Sequence, residues 1–390
     1  MLVKDLTETA RVRTTFSSRA FADYVPDADA AVVRRMKDAG FVILGKSNTP
    51  EFGSTAVTES LLNGACRNPW DTSRTPGGSS GGAAAAVAAG VLPLAHASDG
   101  GGSIRIPASC CGLFGLKPSR GRVSSAPFTS GSLELSQSAS VSVSVRDSAA
   151  FLDVLAGYEP GDAHWAPPPA RSFREEVGEW PGRLRIAFTT TPPIDYPVEP
   201  RVAAVARDAA SALSTLGHEI VEATPPWTGV PVLQLFDRLW ALGPAPFPAD
   251  PSEFEPLNRW LAQRAHEQTS VEYSSAVLGL QRLARAVVGF FDARGLDAVL
   301  TPTLAKLPVP IGWVFEPDDP AEQFVRGAEF TPFTPIVNVT GQPAMSVPFG
   351  VVDGLPVGVH VIGRPADEAT LLRLAAQLEE ARPWAERLPT

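Results

Sequence analysis

Cysteine is nearly absent. Cys66, Cys110 and Cys111 are the three in 390 residues, too few for a disulfide framework, and none stands with histidine at zinc-ligand spacing. Lysine is also scarce: Lys4, Lys37, Lys46, Lys117 and Lys306 are the only lysines among 33 basic residues. Basic residues are outnumbered by 42 acidic ones, and the formal net charge of −9 argues against a nucleic-acid-binding surface. The opening MLVKDLTETARVR lacks the basic and apolar regions of a secretory leader. The longest apolar stretch, 83–97, is broken by Gly90 and Pro93 and is too short to span a bilayer. These absences predict a cytoplasmic protein with no membrane or nucleic-acid partner, and the sequence as a whole implies no metal or organic cofactor. What is plentiful is apolar residues, at 44%, enough for a large core.

Apolar patterning alternates between helix and strand periods. Helices are expected over 29–39, with Asp29 as N-cap and Gly40 as terminator, and over 83–89, 146–157, 199–216 and 367–382. Strands are expected at 41–44, 91–95, 183–188, 218–223, 297–302, 344–350 and 356–363, and the Ser/Val alternation of 140–145 reads as a half-buried strand. This rhythm predicts an α/β fold, with a mixed, mainly parallel central sheet covered by helices on both faces. The proline- and charge-rich stretch 158–182 reads as a surface crossing. Residues 225–262, rich in Pro and Trp without clean periodicity, read as irregular structure over a pocket.

Two motifs mislead. GFVILGKS at 40–47 matches a phosphate-binding loop, but its four middle residues are the expected strand and NTPEFG follows where a helix should begin. GGSSG at 77–81 matches a nucleophile elbow, yet DTSRTP precedes it instead of a strand. A histidine-dependent hydrolase would also need a histidine partner. His360 lies in an alternating apolar run and reads as a core residue, and His96, His164, His218 and His266 have no distinctive context.

The densest chemical signal is TPGGSSGGAAAAVAAGVLPLAHASDGGGSIRIPASCCGLFGLK, 75–117. Two glycine/serine clusters flank a small-residue helix and a strand, which sets them apart from flexible linkers. Gly100, Gly101 and Gly102 ahead of Ser103 allow several backbone N–H groups to converge, as a developing oxyanion requires. A serine needs a base, and without a histidine the choice falls on lysine. A lysine of pKa about 10.4 must fall by roughly three units, or about 4 kcal/mol, to serve near neutrality, and burial supplies a shift of that size. Lys37, on a charged helix, and Lys306, in a proline-rich loop, fail this requirement. Lys4, Lys46 and Lys117 meet it.

These residues closely resemble the glycine/serine-rich signature of the amidase signature family. The resemblance extends through LVKD (2–5), GKSNTPEFG (45–53), RNPWD (67–71), GLFGLKPSRGRVS (112–124), SVRDSAAFLDVLAG (144–157), NVTGQPAMSVPFG (338–350) and GLPVGVHVIG (354–363), and is weakest over 158–335. It implies a single amidase domain over 1–390, with a signature core at about 1–157 and 297–390 and a variable substrate-pocket region at about 158–296. It also implies an amidohydrolase working through a Ser–cis-Ser–Lys triad and an acyl-enzyme. Ser103 would be the nucleophile, Ser79 the bridging serine after a cis Gly78–Ser79 peptide, and Lys4 the base. The backbone N–H groups of Gly100, Gly101, Gly102 and Ser103 would form the oxyanion hole, while Lys46 and Lys117 would be structural. Ser80, Asp99 and Arg105 would be either a supporting shell or ordinary structural contacts.

The signature variant is closer to bacterial amidases of the 6-aminohexanoate-cyclic-dimer hydrolase type than to the amidase-type subunit of glutamyl-tRNA amidotransferase, which remains an alternative. The expected partner is a small-molecule amide, and the expected assembly a homodimer. Substrate choice is expected to rest on 225–262 and 313–335, including Trp240, Trp313, Phe330 and Phe333, unless these aromatics are core. MLVKD looks like the interior of a family strand, so an N-terminal part is expected to be missing. An α-ammonium three residues from Lys4 would add charge and expose the base, so a weak or impaired amidase is the other alternative.

Overall fold

LPVGVHVIG forms the central strand of the molecule because both of its faces have something apolar to meet. The computed structural model describes residues 1–127, 134–387 and 389. Its strands are β1 (Leu2–Lys4), β2 (Gly45–Ser47), β3 (Glu59–Ser60), β4 (Gly64–Ala65), β5 (Leu94–Asp99), β6 (Phe114–Lys117), β7 (Gln137–Ser142), β8 (Arg185–Phe188), β9 (Glu219–Glu222), β10 (Ala298–Pro302), β11 (Ala344–Val352) and β12 (Leu355–Gly363). Its α-helices are α1 (Ala31–Asp38), α2 (Gly81–Ala88), α3 (Arg105–Cys111), α4 (Val145–Leu155), α5 (Phe173–Glu176), α6 (Pro200–Thr215), α7 (Val232–Trp240), α8 (Pro256–Glu267), α9 (Ser270–Arg294), α10 (Pro320–Phe330), α11 (Pro335–Thr340) and α12 (Glu368–Ala381).

Eight strands form one sheet in the order β5-β7-β6-β11-β12-β10-β8-β9. Val357, Val359 and Val361 face a core shared with Ala149 and Leu152 of α4, Ala206 of α6 and Leu371 of α12. The alternate positions face α3, and there glycine is required. A Cβ at Gly115 would lie 2.7 Å from the Ala108 Cβ, and one at Gly358 would lie 2.9 Å from Ser109 Oγ. Helices α7, α9 and α11 enclose a second core with Val299 and Ile362. The fold is α/β with a mixed sheet and helices on both faces, as expected.

The expectation of a mainly parallel sheet is corrected. Within the eight strands only β8 pairs in parallel, with β9 and β10, while the remaining pairings are antiparallel. The cause at β11–β12 is local. Asp353 and Gly354 both take positive φ, 51° and 78°, the turn that matches strand twist in a two-residue hairpin.

Other element boundaries also differ from those expected. The strand expected at 41–44 forms instead at Gly45–Ser47 beside β1, leaving Val42 and Leu44 exposed. The strand expected at 91–95 begins at Leu94, after Pro93. Asp29 does not cap α1. Ala30 holds that position, and Asp29 accepts from the Ala10 N–H and Lys37 Nζ instead. The stretch read as irregular contains α7 and α8. Val232, Phe236 and Leu239 are buried at helical spacing along α7.

Candidate active site

Lys4 ends β1, in parallel register with Ser47 of β2, and lies against the edge strand β5. Its backbone N–H donates to His96 Nδ1 at 3.3 Å. Burial drives the His96 pKa down to about 3, so that ring is neutral and free to accept. The Lys4 side chain is completely buried. Its Nζ lies 2.7 Å from Ser79 Oγ, 3.1 Å from Ser98 Oγ and 3.2 Å from the Ser98 carbonyl. Burial lowers its pKa to about 7, against the opposing pull of Asp99. The solvent exposure expected at Lys4 is absent, since the residue is 0% exposed.

The other candidate lysines point elsewhere. Lys46 Nζ is taken up by the Thr7 carbonyl, Thr9 and Thr14, which also removes it from any phosphate cradle. Lys117, similarly lowered to about 7 by burial and by Arg105, donates to the Pro118 carbonyl at 2.7 Å. Lys4 is the candidate lysine whose amine reaches Ser79.

Ser79 follows a cis Gly78–Ser79 peptide just ahead of α2. The loop is held where side chains do not fit: a Cβ on Gly78 would lie 2.7 Å from the Val57 carbonyl carbon, and one on Gly82 would lie 2.3 Å from Asn48 N. Ser80 Oγ donates to the Ser98 carbonyl at 3.2 Å, tying this loop to the end of β5. Ser103, 6% exposed, sits between β5 and α3. Ser79 and Ser103 line the same cavity of about 920 Å³, and Ser103 also borders a small recess of about 70 Å³.

Asp99 and Arg105 are fully buried and organise the glycine loop. Arg105 Nε donates to Asp99 Oδ2 and Nη2 to Oδ1, each at 2.9 Å. Burial alone would raise the Asp99 pKa, but the guanidinium beside it holds the carboxyl well below the usual range. Asn338 Nδ2 donates to Asp99 Oδ1 at 2.9 Å, and Arg105 Nη2 donates to Asn338 Oδ1 at 2.7 Å. Arg105 Nη1 donates to the Thr334 carbonyl at 3.1 Å and meets His360 Nε2 at 2.9 Å. A guanidinium only donates, so His360 accepts there and is neutral, consistent with a pKa pushed down by burial and by Arg105. His360 is therefore a buried prop of Arg105.

The oxyanion-hole expectation changes in one position. The Gly102 N–H donates to Asp99 Oδ1 at 2.8 Å and is occupied. Among the described residues the N–H groups of Gly100, Gly101 and Ser103 have no partner, which leaves those three as the free donors. Gly102 is required sterically, with φ of +131° and a Cβ position 2.2 Å from Thr334 Oγ1. Thr334 in turn donates to the Gly101 carbonyl at 2.7 Å. Asn338 and Thr334 were missed as individual residues, although Asn338 opens the quoted segment NVTGQPAMSVPFG.

Of the four aromatics expected to set specificity, only Trp240 lines the cavity. Phe330 and Phe333 are core, at 0% and 1% exposure, and Trp313 packs under Arg326. The wall is built instead from Phe16, Phe21, Tyr24, Phe52 and Phe247, with Phe52 and Phe247 stacked at 4.3 Å. Trp240 lines both cavities. It donates to the Ser54 carbonyl at 3.0 Å and lies 3.4 Å from the Cβ position of Gly100.

A family model described as Amidase matches residues 1–243 and 248–372. A 6-aminohexanoate-cyclic-dimer hydrolase of Paenarthrobacter ureafaciens is 39% identical over 416 residues, covering 100% of this chain and 84% of the relative. A solved structure of 6-aminohexanoate cyclic dimer hydrolase superposes with a TM-score of 0.95 at 37% identity, covering 100% and 86% of the two chains. A glutamyl-tRNA(Gln) amidotransferase subunit from Thermotoga maritima is more distant, with a TM-score of 0.81 at 32% identity and coverage of 98% and 83%.

Proposed function

The chain belongs to the amidase signature family and is an amidase, and from that premise we propose that it cleaves carboxylic amide C–N bonds through an acyl-enzyme on Ser103, with Ser79 relaying protons and Lys4 as base. The observation that carries the reading is the buried Lys4 amine 2.7 Å from Ser79 Oγ, with Ser79 and Ser103 facing one cavity. An amine with a pKa of about 7 is substantially neutral at neutral pH and can accept the Ser79 hydroxyl proton. Ser79 then takes the Ser103 proton as Ser103 Oγ attacks the carbonyl carbon. The N–H groups of Gly100, Gly101 and Ser103 receive the oxyanion. As the C–N bond breaks, the proton held on Lys4 returns through Ser79 to the leaving nitrogen. Water then attacks the ester by the same relay, which releases the acid and restores Ser103.

Asp99 and Arg105 keep the donor loop in shape, and Ser80 fastens the Ser79 loop to β5. Residues 1–390 form a single amidase domain in this proposal, because strands from the signature core and the variable region share one sheet. The substrate is a small amide, and a cavity of about 920 Å³ is ample for one. A homodimer and a cytoplasmic location are part of the proposal, to be checked by light scattering and by cell fractionation.

The test is an amide panel, including the cyclic dimer of 6-aminohexanoate and simple anilides. Hydrolysis by the wild type and its loss in Ser103→Ala are expected. A folded wild-type protein that hydrolyses no member of the panel, or a Ser103→Ala protein with wild-type rates, would overturn the reading.

A further inference from the structure

The large cavity carries one carboxylate among the described residues that line it, Glu8. Glu8 also lines a second cavity of about 360 Å³, bordered by Ser124, Ser125 and Ser138. Its Oε1 accepts from the Tyr24 hydroxyl at 2.8 Å, and among the described residues no cation pairs with it. Lys46 acts on it electrostatically but has its amine bound by the Thr7 carbonyl, Thr9 and Thr14. Phe16, Tyr24 and Phe247 surround this end of the cavity. Phe16 lies 5.9 Å from Tyr24 and 5.0 Å from Phe247, centroid to centroid. A partly buried carboxylate with no cation in direct contact, beside aromatic rings, is a ready site for an ammonium group.

The relay assigns the two halves of an amide to the two cavities. The leaving nitrogen must take its proton from Ser79, and Ser79 borders the large cavity but not the small recess. The amine half therefore extends toward Glu8. The acyl half occupies the recess of about 70 Å³ beside Gly101, Ile106 and Trp240, which suits a short chain. We propose that Glu8 binds the free ammonium of an N-acylated aliphatic diamine whose short acyl group is the one transferred to Ser103. This rests on the amidase reading of Ser103, Ser79 and Lys4. A carboxylate at the remote end of the amine half would be repelled by Glu8, and the net charge of −9 also favours a cationic ligand.

The test compares N-acetylcadaverine with N-pentylacetamide, which replaces the ammonium by a hydrogen at the chain end. Binding to Ser103→Ala is measured by calorimetry and kcat/KM on the wild type by amine release. The charged amide should bind about tenfold more tightly or better, as a charge-assisted contact implies, with a matching preference in kcat/KM. Adding Glu8→Gln should collapse both ratios toward unity. Equal binding of the two amides, or a preference that survives in Glu8→Gln, overturns the assignment. The two proposals fail separately. Hydrolysis of both amides without preference removes only the ammonium site, whereas preferential binding without any hydrolysis removes the catalytic reading and leaves Glu8 as a cation site.

Discussion

The floor and the wall of the large cavity follow opposite rules. On the floor, every polar atom of the buried Asp99 and Arg105 side chains has a partner, and a Cβ on Gly78 or Gly102 would collide with neighbours. On the wall, aromatic rings from 16–24, 52 and 247 meet edge to face or stacked, around space for a ligand. In the proposed mechanism the floor handles the atoms common to every amide, and the wall meets those that distinguish one amide from another. Substitutions on the floor should therefore remove activity or stability on every substrate, and substitutions on the wall should change which substrate is preferred.

The largest effect is expected from Ser103→Ala and Lys4→Met, each lowering kcat/KM by about a thousandfold or more with circular dichroism unchanged. A loss confined to some amides would break the comparison, since these residues would then be acting in selection. Next is Asp99→Asn, which leaves Arg105 buried without its counter-charge, at a cost of about 3–5 kcal/mol read from denaturant midpoints. The folded pKa of Asp99 is depressed, so its stabilisation is present in full above the unfolded value of about 3.9. It is lost only as pH falls below that value. The deficit of the variant should accordingly be complete at neutral pH and shrink in acid, and a deficit independent of pH would contradict the ion-pair account.

On the wall, Phe247→Ala is expected to be smaller and selective. It should raise KM for bulky apolar amides about tenfold, in line with a lost aromatic contact, while kcat and melting temperature change little. A uniform loss of kcat on all amides with a large fall in stability would place Phe247 with the floor.

The same division governs what could be read from the sequence. The floor is local in the chain: Gly78, Ser79, Ser80, Asp99, Gly100, Ser103 and Arg105 lie within one motif, whose composition marked a nest of N–H donors. Lys4 was one of three lysines that chemistry allowed, and resemblance alone singled it out. The choice depends on which amine the β1–β5 contact turns toward Ser79, which no local pattern encodes. Asn338 and Thr334 reach Asp99 and Arg105 from the far end of the chain. The wall was largely illegible because its residues come from 16–24, 52 and 240–247, which share no period. Helices α7 and α8 were hidden by flanking prolines, though α7 is amphipathic in itself. In the sheet, the Asp-Gly pair at 353–354 carried a hairpin signal that the β-then-α rhythm obscured.

The central claim is that Lys4, uncharged, activates Ser103 through Ser79, and the most direct test is the pH dependence of fluorophosphonate labelling, with the modified peptide mapped. The basicity that burial takes from Lys4 places the deprotonated amine above about pH 7. The labelling rate at Ser103 should therefore rise about tenfold per pH unit below that value, level off above it, and vanish in Lys4→Met. Labelling at another residue, or a rate at Ser103 that climbs only near the ordinary lysine value of about 10.4, would contradict the account.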